Sequence, residues 1–174
     1  MKLKQFIRPQ LCWVMDAAGS RDEVLRQLTE RIAAAEPTAD AQIIYSALIE
    51  REDKGATSTP EGVAFPHAMT KEAAGSFIAA AAIKGGVQFG HKAHPPSDVV
   101  FVLVGPAEAA WDHVRLLARL ARICHTPGRF SRCAWRPMGP TSSTDSARRM
   151  IDMPELTDQR LVVIILAAHP EWVD

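Results

Sequence analysis

A chain of 174 residues and 19.0 kDa is the size of one ordinary globular domain and can bury a core without disulfides or a structural metal. Its 20 Lys and Arg balance 20 Asp and Glu, so no global field draws nucleic acid or an anionic membrane, and a charged partner must be met by a local patch. The longest apolar run, Leu161 to Ala168, falls far short of the roughly 20 residues that span a bilayer, and the N-terminal MKLKQFIRPQLCW lacks the features of a secretory signal. These readings predict a soluble, cytoplasmic protein with no direct membrane insertion.

The first predicted element is a helix opened by Ser20 as N-cap, with Glu23 closing a capping box and Val24, Leu25, Leu28 and Ile32 at helical spacing. After Pro37 the pattern predicts a second helix, Ala39 to Glu52, with Ile43, Ile44, Ala47 and Leu48 inward. It ends near Gly55, which places Arg51 and Glu52 at its C-terminal end. Thr57 to Pro66, with Pro60 and Gly62, reads as a turn leading into a brief strand, Val63-Ala64-Phe65. That strand is expected to stop at Pro66, so that His67 emerges at its end.

Ser76 to Ile83 and Asp98 to Val104 are the next expected strands, with a loop, Gly85 to Pro96, between them. DVVFVLV is continuous enough to be a central strand covered on both faces. Ala107 to Ile123 is helical in pattern, and His113, Leu117, Leu120 and Cys124 share a face, so His113 is expected on the buried side near the helix start. Thr126 to Met153 reads as a long loop, and Leu161 to Leu166 as a terminal strand or a buried helix, which periodicity cannot separate. Helices alternating with strands predict a layered α/β arrangement with a mixed sheet. Cys12, Cys124 and Cys133 are odd in number and form no CxxC pair, which points to reduced, buried thiols.

The most informative stretch is Arg51-Glu52-Asp53-Lys54-Gly55-Ala56-Thr57, followed after a turn by Gly62-Val63-Ala64-Phe65-Pro66-His67. It resembles the signature of the enzyme IIA domains of the fructose and mannitol class of the bacterial phosphoenolpyruvate-dependent sugar phosphotransferase system. SRDEVLRQLTERI, DVVFVLVGP and HVRLLARLARI resemble the same family in the same order. The resemblance implies an α/β (α+β) fold, a three-layer α/β/α sandwich with a mixed central β-sheet. It implies a single domain over residues 1–174, of which 1–127 match well and 128–174 diverge.

In that family the histidine after the proline takes a phosphoryl group from the phosphocarrier protein HPr and passes it to a IIB domain. The resemblance gives that part to His67 and matches Arg51, Thr57 and His113 to the family's active-site Arg, Thr and second His, with no metal or organic cofactor. A second expectation from the same likeness is a standalone, nitrogen-regulatory type of IIA protein. There the phosphorylation state would control binding to a regulatory target protein.

The residue types suit that chemistry. Neutral imidazole is a competent nucleophile near pH 7, and a planar guanidinium and a hydroxyl can meet phosphoryl oxygens. Each also has a plainer reading: His67 as a turn residue, His113 as a satisfied core histidine, Arg51 as a cation complementing a helix dipole, Thr57 as a turn hydroxyl. The turn Ser58-Thr59-Pro60-Glu61 and Ala68 depart from the family's commoner glycines, which matters if Ala68 needs positive φ. His91 and His94 form an HxxH without a partnering cluster and read as a solvated loop; His125 and His169 carry no constellation.

Overall fold

In the computed structural model, which describes residues 3–16, 19–90 and 93–124, the apolar run SDVVFVLVGP forms a ten-residue strand, Ser97–Pro106, at the centre of a mixed sheet. Because side chains alternate along a strand, Val100, Val102 and Val104 face one core, while Val99, Phe101 and Leu103 face the other. In chain order the strands are β1 (Ile7–Met15), β2 (Val63–Ala64), β3 (His67–Thr70), β4 (Phe77–Val87) and β5 (Ser97–Pro106). β4 runs antiparallel to β5, β1 pairs parallel with β4, and β2 and β3 pair parallel with β5 on its other side.

The helices are α1 (Arg21–Ala35), α2 (Ala41–Asp53) and α3 (Ala110–Cys124), the last preceded by a 3-10 turn at Ala107–Ala109. Residues of α1 and α2 join the core that holds Val100, Val102 and Val104, and Leu116, Leu120 and Cys124 of α3 join the other. This is the expected three-layer α/β/α sandwich. No helix among the described residues is long and apolar enough to cross a membrane.

Ser20 caps α1 by accepting the Glu23 N–H at 3.2 Å. The Glu23 carboxylate turns to Arg26 and Gln27 one turn ahead, donors that lie on its own helical face. Asp40 caps α2 through the Ile43 N–H at 2.9 Å. Ile44, Leu48 and Glu52 are the buried side of α2, whereas Ile43, expected inward, is 38% exposed at the margin of that face.

Three departures from the sequence reading go beyond small shifts at an element's ends. β1 was not expected at all. Pro9 lies in the stretch between Ile7 and Cys12 where the register with β4 slips, and β1 is an edge strand, where a residue without an N–H is tolerated. β4 continues beyond Ile83 to Val87 across an irregularity at Gly85 and Gly86, both at positive φ, so the expected loop begins later. The strand expected to end at Pro66 resumes at His67, because the Pro66 carbonyl still accepts from the Leu103 N–H at 3.0 Å and only a donor is lost.

Ala68 is an extended, buried strand residue paired with Val104, so nothing at that position calls for glycine. The turn before β2 closes without Pro60: Thr59 N–H donates to Val63 O at 2.8 Å and Gly62 N–H to Thr59 O at 3.1 Å, with Gly62 at φ 82°. Cys12 and Cys124 are buried thiols. Cys133, His91, His125, His169, the stretch Thr126 to Met153 and the segment Leu161 to Leu166 lie outside the described residues.

Gly90 follows β4 with φ at 69°, and a Cβ there would stand 2.7 Å from the Ala56 Cβ. Gly90→Ala should therefore lower stability by about 1–3 kcal/mol, combining left-handed backbone strain with overpacking. Thermal melts of the two proteins check this, and equal melting points would refute it.

Candidate functional site

β2 and β3 carry His67 to the edge of the sheet. Val63 and Phe65 belong to the core beneath α3, and the strand alternation turns His67 to that same side. The Phe65 ring stacks on Phe101 with centroids 5.9 Å apart, which fixes the backbone two residues before the histidine. The Phe65 carbonyl then lies 2.9 Å from His67 Nδ1. A carbonyl can only accept, so Nδ1 carries the proton.

The other ring nitrogen meets α2. Arg51, in the last turn of that helix, donates its Nε–H to His67 Nε2 at 2.8 Å and an Nη1–H to the Gly55 carbonyl at 3.1 Å. Since guanidinium can only donate, Nε2 must present a lone pair. Both contacts select one tautomer, Nδ1–H with a nucleophilic Nε2. Burial pulls the His67 pKa below its ordinary value; the Phe65 carbonyl opposes this, Arg51 adds to it and Glu52 opposes it. The ring is therefore neutral at pH 7.

His113 comes from α3. Its ring centroid is 5.5 Å from that of His67, the planes inclined by 51°. It is 3% exposed, and neither ring nitrogen has a hydrogen-bond partner among the described residues. Gly105 makes room for it: a Cβ there would stand 3.2 Å from His113 Nδ1 and 2.8 Å from Ser76 Oγ. Burial, followed by the neighbouring His67, pushes the His113 pKa down to about 4.

Thr57 is near but differently engaged. Its hydroxyl donates to Glu52 Oε2 at 2.7 Å and its N–H to Glu52 Oε1 at 2.9 Å. The hydroxyl proton expected to face a phosphoryl oxygen is directed at a buried carboxylate instead. Of the four residues the sequence put forward, the structure brings His67, Arg51 and His113 into one cluster, while the Thr57 side chain is bonded to Glu52. His94, read as solvated, lies with Nδ1 3.1 Å from the Ser58 hydroxyl because the β4–β5 loop packs back on this turn. No group of three or more metal-ligating side chains occurs among the described residues.

The family model described as "Phosphoenolpyruvate-dependent sugar phosphotransferase system, EIIA 2" matches residues 5–132. The chain belongs to this family. Over 123 residues the EIIA domain is 31% identical to a nitrogen regulatory protein of Pseudomonas aeruginosa, covering 71% of this chain and 80% of that protein. It is 24% identical over 123 residues to the fructose-specific EIIABC component of Bacillus subtilis, covering 71% of this chain and 19% of that protein. Its fold is similar to the nitrogen regulatory protein IIA-Ntr of Neisseria meningitidis (TM-score 0.64, 19% identity, 84% of this chain and 97% of that one). It is also similar to the Escherichia coli mannitol IIA solved in complex with phosphorylated mannitol IIB (TM-score 0.56, 17% identity, 81% and 94%).

His113 of this EIIA domain has a thermodynamic signature. Between the ordinary value of 6.5 and about 4, the unfolded chain binds a proton at His113 that the folded chain refuses. Stability is thus complete above pH 6.5 and falls as pH drops through that window, by up to about 3 kcal/mol. His67, also depressed, acts in the same direction. Urea titrations from about pH 7 to 4 should show a steeper loss for wild type than for His113→Leu; parallel curves would contradict the assignment.

Proposed function

We propose that this EIIA domain is a phosphocarrier in which Nε2 of His67 accepts a phosphoryl group from an HPr-like phosphoprotein and yields it to a IIB domain. The observation that carries this reading is the single tautomer of His67, with Nδ1–H held by the Phe65 carbonyl and the Nε2 lone pair turned to Arg51.

In the forward step the Nε2 lone pair forms the new bond to phosphorus as the donor's bond to phosphorus breaks, the leaving group keeping that electron pair. The ring gains positive character, and the Nδ1–H bond to the Phe65 carbonyl strengthens with it. Arg51 exchanges Nε2 for the phosphoryl oxygens that arrive there, and its fork of donors suits them. His113, neutral beforehand, is close enough to offer a ring N–H to the same group. An arriving dianion would raise its pKa and convert a buried, unpartnered ring into a charged donor. Thr57, its hydroxyl committed to Glu52, does not address the phosphate in this scheme.

The family membership and the IIB complex of the mannitol neighbour support this partner set. A second, regulatory use of the same phosphohistidine is favoured by the likeness to the Pseudomonas aeruginosa nitrogen regulatory protein, which extends over most of both chains. In that use the phosphorylation state of His67 would govern a protein partner. Incubation with phosphoenolpyruvate, enzyme I and HPr should give an acid-labile phosphate adduct by mass spectrometry, discharged on adding a IIB domain of the fructose or mannitol class. An adduct that forms and persists in the presence of such IIB domains would support the regulatory reading. No adduct at all would overturn both.

A further inference from the structure

Glu52 is a carboxylate with 3% exposure that sequence reasoning left out of the site. It shares the buried face of α2 with Leu48 and Ile44, four and eight residues away, where an apolar side chain would be expected. A buried carboxylate must be well satisfied to be tolerated. Both oxygens of Glu52 are engaged, and both by one residue: Oε1 accepts the Thr57 N–H and Oε2 the Thr57 hydroxyl. The chain between Asp53 and Thr57 is thereby folded back against the helix end, with the Gly55 N–H donating to the Glu52 carbonyl at 3.1 Å.

Two routes lead from that folded-back segment to His67. Along the first, the Gly55 carbonyl accepts from Arg51 Nη1 at 3.1 Å, and Arg51, so oriented, directs Nε–H at His67 Nε2 at 2.8 Å. Along the second, the Thr57 carbonyl accepts the Phe65 N–H at 3.2 Å, and the Phe65 carbonyl sets the proton on His67 Nδ1 at 2.9 Å. The two routes end on different nitrogens of the same ring, one starting at Gly55 and the other at Thr57, in the segment that the Glu52 carboxylate holds folded back.

We propose that Glu52 is a positioning residue that, through Thr57, fixes the tautomer and orientation of His67 at both ring nitrogens. The proposal rests on the phosphocarrier reading for its consequence in transfer, but its geometric content concerns the unphosphorylated protein. Glu52 touches no reacting atom. Its part is to keep the Arg51 and Phe65 contacts in register, so that Nε2 is held at one angle to an incoming phosphorus.

The test compares Glu52→Leu, which fills the space without an acceptor, with Glu52→Gln. The Gln amide can keep both contacts, its oxygen taking the Thr57 N–H and its NH2 donating to the Thr57 hydroxyl oxygen. Imidazole 15N spectra of unphosphorylated wild type should show His67 as one tautomer, with a protonated and a lone-pair nitrogen well separated. Glu52→Leu should draw the two signals together by tautomer mixing and slow phosphoryl uptake about 10- to 100-fold. Glu52→Gln should restore both.

If Glu52→Leu does not fold, Thr57→Val, which removes the hydroxyl bond alone, should show the same mixing in smaller degree. Wild-type His67 nitrogen signals in a folded Glu52→Leu protein, or in Thr57→Val where only that variant folds, overturn the proposal. So does a lowered melting point with unchanged tautomer and rate, the mark of a merely structural carboxylate. Because the spectra involve no phosphate, failure of wild type to take up a phosphoryl group would sink the carrier reading, while the ring signals would still decide whether Glu52 positions His67.

Discussion

His67→Ala should take up no acid-labile phosphate under conditions that label the wild type fully, with its fold retained. His67 is half-buried at the first residue of β3, and the variant forfeits its side-chain hydrogen bonds to Phe65, worth about 1 kcal/mol, and to the charged Arg51, worth about 2 kcal/mol. The β3–β5 ladder is made by backbone groups that alanine keeps. Neither of the other two described histidines can substitute. His113 is enclosed beneath α3 at 3% exposure, and His94 is occupied with Ser58 across the turn. Intact-mass spectra before and after acid treatment read the result, and far-UV circular dichroism checks the fold. Labelling of the variant at the wild-type level would place the acceptor elsewhere and dismantle this site.

The second large effect is expected at Arg51→Lys, a change that preserves charge and should still slow phosphoryl uptake about 10²- to 10³-fold, the usual scale for loss of one well-placed donor to a developing anion. Arg51 uses two nitrogens at once, Nε on His67 and Nη1 on the Gly55 carbonyl, and the second anchors the first. The lysine ammonium is a single point at the end of a flexible stem. It cannot hold the loop carbonyl and address Nε2 with a fixed orientation, nor present a planar fork to phosphoryl oxygens. Rapid-quench measurement of the first turnover isolates this step. A first-turnover rate equal to that of wild type would remove Arg51 from the transfer, leaving it as a cap on the end of α2.

Local signals read well from the sequence. Ser20 as a cap, the inward stripe Val24, Leu25, Leu28 and Ile32, and the doubly covered strand DVVFVLV are each properties of a few consecutive residues, and each is present as expected. Long-range pairing was harder to see. β1 takes its place by pairing with β4, which lies beyond both α1 and α2 in the chain, and Pro9 hides the alternation of Leu11, Trp13 and Met15 that all enter the same core.

The same division holds at the site. That His67, Arg51 and His113 come together in space was legible through the signature residues and through the buried face of α3. What the residues alone did not reveal was the direction of the Thr57 hydroxyl, which depends on a carboxylate packed beneath it. The available signal was Glu52 at four residues from Leu48 on the inward face of α2. The spacing was in the sequence, but what a buried carboxylate would be bonded to is decided by how residues Asp53 to Thr57 fold back.

The phosphorylated protein, labelled with 15N at its histidines and observed by 31P and 15N NMR, tests the central claim most directly. One phosphohistidine is expected, with phosphorus coupled to Nε2 of His67 and Nδ1 still protonated against the Phe65 carbonyl. Phosphorus on Nδ1 of His67, or on any other residue, would contradict it.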